Sequence, residues 1–354
     1  MDKIIIVHFV AYSYKYLRKG MSLIMDFQEK KEYLKEISRI RKSNVICYIS
    51  GDRNNVSTRI APDIIPIFHE HLERIGNSDK IDLVLFSKGG DVLTALRLVQ
   101  LLYEYTNNFS VLIPFKSYSA GTLVALGASE IVMTKMAELS PIDPNVTSVF
   151  NPQDPNNPSA KIPISVEDVY SFITVAKEII PVRSEECLTR VFSHLIDSVH
   201  PLAIGTIHRT YSLIRSVAKK LLLLHMDENE EEKINKIIDN LTQQLFSHSY
   251  MITRREAKED IKLPVTFSSG ELESIIWNLY KSYESELLLE KTFIPEENAD
   301  MNGRFAVCCG IIDSLSRTDG YTFEGVIQRH HDPGVANNIN ILHQGWKKLW
   351  EERK

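Results

Sequence analysis

Short apolar runs alternate with amphipathic stretches through the first part of the chain. The amphipathic stretches have apolar residues at helical spacing and predict helices at 26–43, 60–74, 91–105 and 119–128. The apolar runs predict buried strands at 44–50, 81–87, 109–115 and 130–134. A strand and a helix that repeat about every 30 residues are typical of a mostly parallel sheet with crossover helices. The fold class predicted is therefore α/β.

The pattern changes in the second part of the chain. Proline and asparagine are frequent at 144–163, which predicts an exposed loop. Residues 166–245 carry almost only helical signals. Near the C-terminus we predict a strand at 304–314, a turn at Thr318-Asp319-Gly320 and a second strand. Trp346, Leu349 and Trp350 then suggest the packing face of a last amphipathic helix.

Charge and cysteine content narrow the function classes. The chain has 41 basic and 46 acidic residues and a net charge of −5, which argues against nucleic-acid binding through a broad basic surface. Four cysteines without a CxxC pair favour neither a disulfide scaffold nor a thiolate zinc site. Few cysteines are typical of a reducing compartment, so we expect a cytoplasmic protein without a metal or other cofactor.

The N-terminal apolar run is too short to span a bilayer. It covers 4–12, whereas a transmembrane helix needs about 20 apolar residues. Its basic residues follow the run, whereas a signal peptide carries them before it. Membrane association is possible, but this pattern favours a soluble protein.

Two turns combine the residue types that acyl transfer requires. SKGGD (87–91) follows a predicted strand and precedes a helix, so its glycines can present backbone N–H groups to an anion. YSAGT (118–122) has the same context and places Ser119 among small residues. Its hydroxyl could be an exposed nucleophile or an ordinary helix N-cap. Both turns should lie at the carboxyl ends of neighbouring strands, where parallel sheets place their sites.

The segments that contain these turns resemble a known family. IDLVLFSKGGD, followed by SYSAGTLVALGASEIVMTKMAELSPIDP, is similar to the serine dehydrogenase proteinases, relatives of signal peptide peptidase A and the Clp protease subunit. The resemblance covers 44–146 and returns at 247–263. It implies a crotonase- and Clp-like core of repeated ββα units, with a helical insertion at about 166–245. An N-terminal extension (1–25) would precede this domain (26–265), and an α+β segment (266–354) would follow it.

The resemblance also implies site residues. Ser119 corresponds to the nucleophile, Gly90 and Ala120 to the two oxyanion-hole donors, and Gly89 to the turn residue. The Clp relatives place a histidine where this chain has Asp143, and an acid where it has His248. We therefore hypothesise a Ser119, His248 and Asp143 triad, since a triad is defined by geometry and not by chain order.

A lysine is the alternative base, as in the signal peptide peptidase relatives. Lys177 has the best spacing for that role, with Lys161 as a second candidate. A buried lysine would have to lose its proton through desolvation. The relative effects on activity of replacing His248 and Lys177 would distinguish the two mechanisms.

The resulting expectation is a serine endopeptidase that acts on a peptide or protein substrate and forms a homo-oligomer. Two other functions fit the same residues. A crotonase-like acyl-coenzyme A enzyme would use the same oxyanion donors, but it has no need of a serine at that turn. A catalytically silent scaffold would need neither nucleophile nor base, and a serine-directed probe would not label it.

Overall fold

The computed structural model describes residues 20–142, 145–146, 149–154, 157–179, 184–242, 250–328 and 337–352. These residues form two compact units. Unit 1 contains the chain up to Leu139 and again from Thr253, and unit 2 contains Ser140–Ile252. Within the described ranges, no helix combines the length and the apolar character that crossing a membrane requires.

An eight-stranded sheet forms the centre of unit 1. Five of its strands are parallel to one another: β1 (Asn44–Ser50), β2 (Ile81–Phe86), β3 (Phe109–Ile113), β5 (Glu130–Met133) and β12 (Val265–Phe267). The other three are antiparallel to their neighbours: β13 (Arg304–Ser314), β14 (Arg317–Gln328) and β15 (Asn338–Glu351). The strand order across the sheet is β12-β5-β3-β2-β1-β13-β14-β15. The predicted mostly parallel α/β architecture is confirmed.

Helices follow the strands of unit 1, as the alternating pattern predicts. They are α1 (Gly20–Arg41), α2 (Ile64–Ile75), α3 (Val92–Tyr103), α4 (Ala120–Leu126), α9 (Arg254–Glu259), α10 (Gly270–Leu287) and α11 (Pro295–Asn298). α1 and α10 cover one face of the sheet. Every residue of β2 and β3 is buried, because strands covered on both faces need continuous apolar runs instead of alternation. Short strands β4 (Lys116–Ser117) and β6 (Glu138–Leu139) pair in parallel beside the main sheet.

Two C-terminal predictions are wrong. Thr318, Asp319 and Gly320 lie within β14, and the hairpin turn falls before Arg317. Thr318 and Asp319 are buried and bonded to Lys31 and His71, which are far away in the sequence, so this locally polar trio does not form a turn. The last element is strand β15, and not a helix.

The two tryptophans of β15 explain this error. Their spacing of four suits a helix, but a register shift between Lys348 and Trp350 places them on opposite faces of a strand. Trp346 packs near Tyr48, at 6.3 Å between ring centroids, whereas Trp350 lies under the Lys31 ammonium of α1.

Unit 2 is mainly helical, as 166–245 predicts. Its helices are α5 (Val166–Thr174), α6 (Glu185–Ser198), α7 (Pro201–Leu222) and α8 (Glu231–Thr242), with a π-helical turn at Val175–Ile179 and a 3₁₀ turn at Glu228–Glu230. The stretch predicted as a loop contains short antiparallel pairs instead. These are β7 (Asn145–Val146) with β10 (Ile164–Ser165), and β8 (Gln153–Asp154) with β9 (Asn157–Lys161). The chain returns to unit 1 through β11 (Ile252–Thr253).

Candidate active site

The two turns chosen from the sequence lie against each other at the carboxyl ends of β2 and β4. The Ser87 N–H donates to the Lys116 carbonyl at 2.9 Å, and the Tyr118 N–H donates to the Ser87 carbonyl at 2.9 Å. These bonds extend the pairing of the strands into the turns. The parallel arrangement therefore brings 87–91 and 118–122 together within unit 1.

Ser119 has a strained backbone. Its φ is 51° and its ψ is −110°, a combination that non-glycine residues rarely adopt. It lies at a sharp turn between β4 and α4, and a serine nucleophile is exposed on this kind of strand-to-helix turn. The Ser119 hydroxyl accepts no capping hydrogen bond from α4, which removes the N-cap interpretation. The side chain is half-buried.

Gly89 is required by its contact with the serine turn. Its φ is 111°, and a Cβ there would lie 2.9 Å from the Ser119 Cβ and 3.0 Å from the Tyr118 carbonyl oxygen. The Gly89 N–H donates to the Ser87 hydroxyl at 3.0 Å. Only glycine lets the 87–91 loop approach the serine this closely.

Gly90 is fixed by Ile60 on one side. The Ile60 N–H donates to the Gly89 carbonyl at 2.9 Å, and the Asp91 N–H donates to the Ile60 carbonyl at 2.8 Å. In extended backbone, the amide of the residue between such bonds is directed to the opposite side, so the Gly90 N–H points away from Ile60. A Cβ at Gly90 would lie 2.1 Å from the Ile60 carbonyl oxygen.

Both turns end at helix starts. The Asp91 carboxylate caps α3 by accepting from the Thr94 N–H at 2.7 Å. Ala120 is buried and opens α4, so its N–H is among the first amides of that helix, which have no acceptors within it. Gly90 follows the glycine that contacts the Ser119 turn, and Ala120 directly follows Ser119, so the amides of both predicted donors lie in the two adjacent turns.

The structure describes two of the residues predicted to act as the base or to orient it, and leaves the other two outside its described ranges. His248 and Asp143 lie outside the described residues. Lys177 is exposed in the π-helical turn of unit 2, and Lys161 is half-buried at the end of β9. The exposure of Lys177 gives none of the desolvation that a neutral lysine base would need.

A second serine cluster in unit 1 was missed by sequence reasoning. The Ser314 hydroxyl lies 2.7 Å from His71 Nδ1, and His71 Nε2 lies 3.1 Å from Asp319 Oδ2. All three side chains are almost fully buried. Burial opposes ionisation of Asp319, but hydrogen bonds from His71 and Arg317 lower its pKa below the ordinary value. No local sequence signal marks this cluster, because His71 and Asp319 are 248 positions apart.

A comparison with known protein families shows to which family the chain belongs. The sequence model of the ClpP-like SDH-type serine proteinases matches residues 2–180. The chain belongs to this family. The matched range contains both turns of the candidate site, and the mostly parallel α/β sheet agrees with a Clp-like proteinase fold. The resemblance identified from the sequence is thereby confirmed.

Two archaeal proteins are similar to this chain. Uncharacterized protein MJ0137 of Methanocaldococcus jannaschii is 27% identical over 259 residues, which cover 70% of this chain and 77% of that protein. Uncharacterized protein MJ1495 of the same organism is 38% identical over 66 residues, 19% of this chain and 23% of that protein. Neither name states an activity, so the family match carries the functional argument.

The described part of the chain offers no evident metal centre. No group of three or more histidine, cysteine, aspartate or glutamate side chains is arranged there to hold a metal ion. The two turns bring together a serine hydroxyl and backbone amides, which are the kinds of group that acyl transfer uses.

Proposed function

We propose that the chain is a serine peptidase that cleaves peptide bonds through an acyl-enzyme on Ser119. The observation that carries the proposal is the strained turn of Ser119 against Gly89. The amides of Gly90 and Ala120, the next residues along the two turns, are the proposed oxyanion donors. An acyl-transfer nucleophile needs an oxygen on a sharp turn and preorganised donors for the developing oxyanion.

The reaction would proceed in two halves. The Ser119 oxygen attacks the scissile carbonyl carbon while a base takes its proton, and the carbonyl oxygen becomes an oxyanion held by the Gly90 and Ala120 N–H groups. The base then returns the proton to the leaving amine, and the C–N bond breaks. Water, deprotonated by the same base, attacks the ester and releases the acid together with free Ser119.

We assign the base to His248, oriented by Asp143, with Lys177 as the rival. The exposure of Lys177 favours the histidine, because a lysine base requires burial in apolar surroundings and Lys177 is not buried. His248→Ala should abolish turnover, whereas Lys177→Ala should leave it within about twofold, since an exposed helical lysine contributes little elsewhere. The reverse pattern would assign the base to the lysine.

A burst experiment tests the acyl-enzyme itself. Mixing the protein with p-nitrophenyl acetate should release about one nitrophenol per chain before slower turnover. Ser119→Ala should lose the burst. Ser129→Ala is a matched control, because Ser129 is also half-buried and lies just after α4, where its hydroxyl donates to the Phe109 carbonyl at 2.9 Å. An undiminished burst in Ser119→Ala would refute the assignment.

The rival functions give different results with the same protein. An acyl-coenzyme A enzyme would bind acyl-coenzyme A in calorimetry and show no serine-dependent burst. A scaffold would show neither. Peptide substrates and assembly into a homo-oligomer are parts of the proposal, and light scattering of the purified chain tests the second.

A further inference from the structure

Tyr118, directly before Ser119, is held at three points. Its N–H donates to the Ser87 carbonyl at 2.9 Å, and its carbonyl accepts from the Gly121 N–H at 2.8 Å. The third point is its side chain, whose phenol donates to Glu138 Oε2. Backbone and side chain together therefore restrict the residue from which the serine turn begins.

The Glu138 acceptor is itself well anchored. Glu138 lies on β6, where its N–H donates to the Phe115 carbonyl at 2.7 Å and its Cα pairs with Lys116 of β4. The phenol–carboxylate bond therefore ties the end of β4 to a neighbouring strand. A movement of Tyr118 would have to break this tie or move β6.

The charges around the phenol preserve its role as a donor. Burial, the hydrogen bond to Glu138 and the nearby Asp52 carboxylate all raise the pKa of Tyr118. The phenol keeps its proton at any pH suitable for an assay. Asp52 is paired with the Lys88 ammonium at 3.1 Å. This ion pair offsets the negative charge of Asp52, so the carboxylates of Asp52 and Glu138 can both lie near the Tyr118 phenol.

The serine needs such a restraint. A non-glycine residue with φ of 51° and ψ of −110° keeps this conformation only where its surroundings over-determine it. Gly89 limits the turn from one side by its close approach to Ser119. On the C-terminal side, the Ser119 carbonyl accepts from the Leu123 N–H at 3.1 Å, and on the N-terminal side the turn is restrained through Tyr118.

We propose that Tyr118 is a positioning residue, whose hydrogen bond to Glu138 holds Ser119 in the strained conformation that exposes its hydroxyl for attack. The proposal rests on Ser119 being the nucleophile, and it adds a requirement that the family match does not assign. It predicts that the serine loses reactivity when this single hydrogen bond is removed, although the fold remains.

Three variants separate the hydrogen bond from charge and packing. Tyr118→Phe removes the donor alone, and Glu138→Leu removes the acceptor. Both should slow labelling by a fluorophosphonate probe about tenfold, the usual effect of losing one hydrogen bond of this kind. Glu138→Gln keeps an acceptor oxygen and should label at close to the wild-type rate.

Tyr103→Phe is the matched control. The Tyr103 phenol donates to the Gly127 carbonyl at 3.0 Å, at the far end of the helix that follows Ser119. Its removal should cost similar stability without slowing the labelling. Equal melting temperatures for Tyr103→Phe and Tyr118→Phe, with slower labelling only in the second, would show a positioning effect.

A second measurement does not depend on reactivity. Hydrogen exchange at the Tyr118 and Gly121 amides should become faster in Tyr118→Phe and Glu138→Leu, and remain at the wild-type rate in Glu138→Gln. Wild-type labelling rates and unchanged exchange in Tyr118→Phe would overturn the proposal, as would a Glu138→Gln variant as slow as Glu138→Leu. An unlabelled wild type with faster exchange in Tyr118→Phe would refute the proposed function and support the restraint on the turn.

Discussion

Ser119 and Ser314 lie in the same unit but in opposite surroundings. Ser314 has a histidine and an aspartate at hydrogen-bond distance, yet it is only 1% exposed, and its backbone is paired within the sheet. Ser119 is half-buried on a strained turn that opens a helix and contacts Gly89 of the neighbouring turn. Under the proposed function, the comparison teaches that access and nearby backbone amides distinguish a nucleophile better than a serine, a histidine and an aspartate linked by hydrogen bonds.

The buried cluster has a structural explanation. Arg317 donates to Asp319 at 2.5 and 2.9 Å and also to Glu70, so the aspartate is committed to an arginine as well as to His71. The cluster joins α2 to the β13–β14 hairpin. Buried ionic groups of this kind are expensive to break, whereas no substrate carbonyl can reach them.

The largest expected effect is on the acylation rate, when the proposed oxyanion donor Gly90 is replaced. Gly90→Ala should reduce acylation at least about 100-fold, because its Cβ would meet the Ile60 backbone and displace a donor amide. Gly76→Ala is the control, since Gly76 also has a positive φ of 71° but nothing within 4 Å of an added Cβ. Because alanine is strained at a positive φ, Gly76→Ala should cost about 1 kcal/mol of stability without changing the acylation rate. Equal rates for the two variants would contradict the oxyanion assignment.

The next effect is on stability at the buried cluster. Asp319→Asn should lower the free energy of unfolding by about 3 kcal/mol, because it leaves Arg317 and His71 without their shared carboxylate. Asp79→Asn, at an exposed position, should change it by less than about 0.5 kcal/mol. Urea unfolding measures both. The acylation rate of the folded Asp319→Asn protein should equal that of the wild type, and a large loss would give the cluster a catalytic role.

A smaller effect depends on pH. Because the folded-state pKa of Asp319 is lowered, its contribution to stability is present above the pKa of the unfolded state, about 4, and is lost as the pH falls through the folded value. The stability difference between wild type and Asp319→Asn should therefore be constant near neutrality and shrink below about pH 4. Urea midpoints from pH 7 to 3 check this. A difference that grows on acidification would have the wrong sign.

The smallest expected effect is the loss of stability when the buried Ser314 is replaced. Ser314→Ala should cost about 1 kcal/mol of stability, the usual net value of a hydrogen bond, and should leave acylation unchanged. Thermal unfolding and the nitrophenol burst measure the two quantities. A lost burst in this variant would reverse the assignment of the two serines.

The parallel core could be predicted from the sequence because burial on both faces imposes an unmistakable pattern. The run at 44–50 matches β1 in both bounds, since all its residues but the first are buried. The hairpin at Arg317 could not be found in this way. Thr318 and Asp319 look like turn residues, and only their distant partners Lys31 and His71 make them strand residues.

The candidate site also has one part that the sequence predicts and one part that it does not. Gly89, Gly90 and Ser119 are visible in the sequence, because glycine and small residues after apolar runs predict tight strand-to-helix turns. The tie between Tyr118 and Glu138 is invisible, since it depends on the pairing of two short strands that carry little apolar signal. Local patterns reveal where the turn lies, but not what holds it.

Mapping the site of a covalent adduct tests the central claim most directly. The wild-type chain would be treated with a fluorophosphonate, digested and analysed by mass spectrometry. The account predicts one adduct per chain, on Ser119, and an unmodified Ser314. An adduct on another serine with Ser119 unmodified, or equal labelling of Ser119→Ala, would contradict it.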